Sequence, residues 1–134
     1  MLGRADYPID FIMACRKRAE KQLRLYDALA KKAGKEVEAF APEFFNSMVL
    51  ALDHYFMHRL RGKEGKDGNP LNEVRMLAAS LLEHDGVMTR DNTIKYDPGK
   101  SITGIALGQK IVLDRKQFGA LVDGFIDEIA TKFA

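Results

Sequence analysis

Residues 42–61 constrain the fold of this chain more than any other stretch. Wound as a helix, they are apolar on almost every side. Phe45, Met48, Val49, Leu52, Tyr55, Phe56 and Leu60 fall on one stripe, while Leu50 and Met57 fall on the far side with His54 between them. A helix with two apolar faces has to be covered twice. One cover is the chain's own core, and the other is a second layer, a ligand or another subunit. The expectation is a homo-oligomer, a dimer or larger, with Leu50, His54 and Met57 in its interface.

Three more helices follow from periodicity and caps. The first spans about Ile9 to Ala33, with Asp6 as N-cap, Pro8 in the first turn and Gly34 as the stop. Its apolar positions are Ile9, Ile12, Met13, Ala19, Leu23, Tyr26, Leu29, Ala30 and Ala33. The second helix starts near Pro42 and ends by Gly62. The third opens with Asn69 as N-cap and Pro70 at its first position, turns Leu71, Val74, Ala78, Leu81 and Leu82 inward, and stops at Gly86. The fourth is capped by Asp114 with Gln117 three residues on. It carries Phe118, Leu121, Val122, Phe125, Ile129 and Phe133 on one stripe.

Between the third and fourth helices the period changes. Thr93–Tyr96 alternates, Asp97-Pro98-Gly99-Lys100 reads as a turn, and Ile102–Leu113 reads as a β-hairpin turning at Gly108. The run from Gly62 to Gly68 has three glycines, four charges and no apolar anchor, so it reads as a mobile loop. The predicted fold is therefore mainly α (α+β): a single domain over 1–134, of four helices with a small antiparallel β-hairpin insert.

Composition excludes several classes. A chain of 134 residues with 46% hydrophobic and 30% charged residues can bury a core of its own. The single cysteine, Cys15, allows no internal disulfide, and no apolar run is long enough for a membrane span. A cytoplasmic protein with no membrane partner is the expectation. The net charge of +2 is unevenly spread, since residues 11–35 hold eight basic groups against Glu20 and Asp27.

Three features bear on chemistry. His54 and His58 are spaced to sit on adjacent turns of one helix. With His84 as a third ligand they could hold a divalent metal, the only cofactor the sequence offers. Without a Glu in the His-Glu-x-x-His register, solvated or interfacial histidines are the favoured reading. Lys17, Lys21, Arg24, Lys31 and Lys35 form a basic face on the first helix that could meet nucleic acid or an acidic partner. No aromatic residues interleave them, so a solvated face is the simpler reading. Cys15 has cationic neighbours but no histidine nearby in sequence, and reads as structural. Gly99-Lys100-Ser101 lacks the first glycine of a phosphate-binding loop, Ile94 standing in its place.

The segments Gly65–Arg75 (GKDGNPLNEVR), Glu83–Met88 (EHDGVM), Ile94-Lys95 and Ser101–Gly104 (SITG) resemble a family of short actinobacterial hypothetical proteins with no assigned activity. The resemblance implies a bacterial cytoplasmic origin and no catalytic residues. The leading expectation is a non-enzymatic homodimeric interaction or regulatory module. A metal- or small-molecule-binding protein using His54 and His58, and a nucleic-acid-associated protein using the first helix, are the alternatives.

Overall fold

The computed structural model describes residues 3–134, which are mainly helical. Helix α1 spans Ile9–Ala33 and α2 spans Lys35–Tyr55. Gly34 alone separates them. Its φ of 58° lies where a side chain is strained, and it reverses the chain in one residue. The second helix thus starts seven residues before Pro42, which lies inside it. Proline removes one backbone donor and crowds the carbonyl four residues back. By local rules that signal marks a helix start. The turn at Gly34 and the carboxylates Glu36 and Glu38 in the first turn are what begin the helix.

Helix α3 is a single turn, Arg61–Glu64; α4 spans Pro70–Glu83, and α5 spans Arg115–Phe133. The caps of the last two are those expected. The Asn69 side chain accepts from the N–H groups of Leu71 at 2.9 Å and Asn72 at 3.3 Å. Asp114 and Gln117 form a reciprocal capping box. For α1 the cap differs: Pro8 occupies the N-cap position with no side-chain bond.

All the inward residues expected of α5 are buried, and Phe118, Phe125 and Phe133 join Phe45 and Phe56 of the second segment in the centre of the core. Helix α5 runs antiparallel to α1. The Tyr7 N–H donates to the Phe133 carbonyl at one end, Arg16 pairs with Asp123 and Asp127 in the middle, and Arg115 pairs with Asp27 at 3.0 Å at the other. Because Arg115 is the first residue of α5, the hairpin end of α1 and α2 continues past it. The six residues from Ala28 to Ala33 add about 9 Å. Ile9, Met13 and Leu29 of α1 and Leu82 of α4, expected inside, are exposed.

The β-hairpin is not there. Among the described residues no strand forms, and the segment has one isolated antiparallel bridge, Val87 to Lys110. The reason is where its backbone groups go. The amides of Ile102 and Thr103 donate to the buried carboxylate of Glu73 at 2.8 and 2.9 Å. Met88 N–H donates to Gln109 O, Gly108 N–H to Met88 O, and Ile111 N–H to Gly86 O. The two halves of Ile102–Leu113 meet only at the turn, where Gln109 N–H donates to the Ala106 carbonyl and Ala106 N–H to Gln109 Oε1, and their other groups bond to Glu73 and to residues 86–88, so no ladder forms. Ile105, Ile111 and Leu113 are buried as separate anchors. The turn at Asp97–Lys100 is present, its Pro98–Lys100 part forming one 3₁₀ turn.

The loop after α2 is also built differently from expectation. Its anchor is charged: Glu64 is fully buried. Its carboxylate accepts from Arg59, Arg75 and Asn72, and its carbonyl from Asn69 and Lys132.

Candidate functional site

An uncovered apolar groove lies where α1 and α2 run side by side near Gly34. Leu25 and Leu29 of α1 and Phe40 of α2 are 60%, 48% and 46% exposed. With Gln22, Tyr26 and Phe44 they line a shallow groove of about 200 Å³. Residues 22, 25, 26 and 29 recur at helical spacing, as do 40 and 44, so each set forms one stripe. Phe40 stacks on Phe44 with ring centres 5.4 Å apart, and Phe44 stacks on Tyr26 at 5.9 Å. Tyr26 meets Phe45 at 4.7 Å, and Phe45 meets Phe118 at 5.6 Å. The groove is therefore the outer end of an aromatic row that reaches the core, and its side chains are held from behind. The buried Oε1 of Gln22 has no hydrogen-bond partner among the described residues.

The rims of the groove carry opposite charge. On α1, Lys21 and Lys32 flank Leu25 on the side away from α2; on α2, Glu36 and Glu43 flank Phe40 on the side away from α1. All four are exposed, and among the described residues none has an ion-pair partner. The nearby ionic contact is that of Asp27 with Arg115. The hydrogen bond from Arg115 holds the Asp27 carboxyl below its ordinary value.

The expected interface residues fare differently. Leu50 is half-buried and packs against the chain's own core, so the second apolar face of α2 is narrower than its sequence suggested. His54 is exposed in the last turn of α2, and Met57 is 46% exposed in the turn that follows. Helix α2 ends at Tyr55, so His58 also lies beyond it and is not on a helix face shared with His54. His84 is the exposed C-cap of α4. The structure does not bring the three histidines together: among the described residues no group of three or more His, Cys, Asp or Glu is placed to hold a metal ion.

Lys17, Lys21, Arg24, Lys31 and Lys35 are exposed and form no ion pair among the described residues. Arg16 and Arg18, their neighbours, are engaged: Arg16 with α5, and Arg18 over the Tyr55 ring at 5.3 Å. Cys15 is buried, and burial raises its thiol pKa against the opposing charge of Arg18, the reverse of an activated thiol.

Sequence reasoning missed the groove for a definite reason. The periodicity places Leu29 and Tyr26 among the apolar positions of the first helix and starts the second near Pro42, which leaves Phe40 outside any helix. Once Lys35–Ala41 is helical, Phe40 and Phe44 become i,i+4 neighbours. No helix of the described chain is long and apolar enough to cross a membrane. No protein-family model, curated protein or solved structure matches this chain.

Proposed function

We propose that the protein is a non-enzymatic interaction module that acts as a homodimer, joined through the groove between α1 and α2. What supports this reading is the self-complementary rim. A twofold axis parallel to the two helices lays α1 of one copy over α2 of the other and keeps every residue at its own height along the axis. Lys32 and Glu36 each lie two residues from Gly34, at the same height. The axis therefore sets Lys32 against the partner's Glu36 and brings Lys21 near the partner's Glu43. A twofold axis across the helices would instead oppose like charges.

The apolar part of the seam is Leu25, Leu29, Phe40 and Phe44. An aromatic anchor seated on a rigid backing is the type of residue that carries interface energy. The seam lies nearer the hairpin end than Leu50 and Met57.

Phe40→Glu should convert the dimer to monomer while leaving the helical signal intact, because Phe40 is outside the core. Lys32→Glu should weaken the dimer, and adding Glu36→Lys should restore it. Sedimentation velocity at micromolar concentration reads all three. A charge-swapped double variant no more associated than the single one would contradict the twofold arrangement. Phe40→Glu leaving the mass unchanged would contradict the seam.

A further inference from the structure

At the opposite end of α2 lies a cleft of about 420 Å³ with a basic wall. His58, Arg61 and Arg75 line it together with the apolar side chains of Met57 and Leu60, the Arg59 side chain lying buried beneath, and among the described residues no carboxylate lines it. The backbone there is tightly closed. Arg4 and Arg59 form a parallel bridge, and a Cβ on Gly3 would come within 2.9 Å of the Leu60 Cα.

Arg59 and Arg75 are held from behind by Glu64. Arg59 is fully buried and has almost all its donors spent: Nε on Glu64 at 2.8 Å, Nη1 on the Phe56 carbonyl at 3.0 Å, and Nη2 on the Leu71 carbonyl at 3.2 Å and against Asp53 at 3.0 Å. Arg75 turns its Nε and Nη2 edge to Glu64, at 3.0 and 2.6 Å. Among the described residues its Nη1 has no acceptor, although the residue lines the cleft. Arg61 uses one contact, Nη2 to Thr93 Oγ1 at 3.3 Å. The acidic groups nearby are Glu64, Asp53 and Asp91. Glu64 lies behind the arginines, Asp53 faces Arg59, and Asp91 accepts on Oδ1 from both the N–H and the hydroxyl of Thr93, while its charge and that of Asp53 also act on Arg75.

A guanidinium clamped along one edge by a buried carboxylate presents its other edge in a fixed direction, as bidentate anion recognition requires. Arg75 is such a cation, and the exposed Arg61 and His58 beside it add donors from which a phosphate can accept. The cleft is larger than one phosphate needs, and Met57 and Leu60 offer apolar surface for what the phosphate is attached to. We infer that this cleft binds a phosphorylated small molecule, its phosphate on Arg61, Arg75 and His58.

The inference does not depend on the dimer, whose seam lies at the other end of α2. The test is titration of the 134-residue chain with phenyl phosphate, benzoate and inorganic phosphate, followed through the arginine Nε–H signals in ¹H–¹⁵N spectra. Phenyl phosphate should move the Arg61 and Arg75 signals and saturate. Arg61→Gln should weaken it at least tenfold, and Lys17→Gln, on the α1 basic face, should leave it unchanged. Benzoate binding as well as phenyl phosphate would overturn the phosphate assignment. Inorganic phosphate binding as tightly as phenyl phosphate would overturn the role of the apolar wall. Unmoved Arg61 and Arg75 signals, or equal weakening by Lys17→Gln, would overturn the site itself.

Discussion

The guanidinium of Arg59 lies 2.8 Å from the carboxylate of Glu64, and neither side chain touches solvent. The pair joins the end of α2 to the turn of α3, and through Arg75 and Asn72 it reaches α4. Removing one member of a buried pair leaves the other charged and unpaired, which costs about 3–5 kcal/mol. Glu64→Leu, which leaves Arg75 without its carboxylate and Arg59 with Asp53 alone, should therefore lower the unfolding free energy by about that amount in a urea titration. A loss below about 1 kcal/mol would mean that water reaches the cluster.

The same pair sets a pH dependence. Burial alone would raise the Glu64 pKa. The hydrogen bond from Arg75, the charges of Arg59 and Arg75 and the hydrogen bond from Asn72 outweigh burial and hold it below its ordinary 4.5. A carboxyl whose pKa is depressed on folding adds stability that is fully present above the unfolded value and is lost as pH falls through the folded one. Stability should be flat in this respect above about pH 5 and fall below it. In Glu64→Gln that acid limb should flatten. An equally steep limb in the variant would move the origin of acid sensitivity to Asp27, Asp67 or Asp91, whose carboxyls are also held low.

Phe125 sits at mid-stripe of α5, fully buried, with its ring 5.8 Å from that of Phe56 and with the Arg59 guanidinium 5.3 Å from its centre. Phe125→Ala removes core volume and one side of the arginine's packing. It should cost about 3–5 kcal/mol, read as a lower thermal midpoint.

Asn69 tests the cap by itself. Asn69→Ala loses two capping bonds and the bond to the Glu64 carbonyl, and should cost about 0.5–2 kcal/mol without changing association. A change in mass with unchanged stability would tie this loop to the interface.

Much of the helical framework could be read from the chain because its signals are local. The ends of α1, the Asn69 cap and the Asp114–Gln117 box each involve residues within one or two turns. What could not be read depends on distant partners. Glu73 captures the amides of Ile102 and Thr103 from about 30 residues away, so an alternating apolar segment that looks like a hairpin is folded as a loop. Glu64 looks like a solvated charge in a glycine-rich stretch until Arg59 and Arg75 close around it. Pro42 signals a helix start by local rules, but the one-residue reversal at Gly34 places it in the helix interior. That misplacement hid Phe40 and with it the groove.

The mass of the native chain in solution tests the account most directly. Light scattering at micromolar concentration should give twice the 15.1 kDa of one chain, falling toward the single-chain mass in Phe40→Glu. A native particle of 15.1 kDa would contradict the homodimer and leave the α1–α2 groove without the occupant assigned to it.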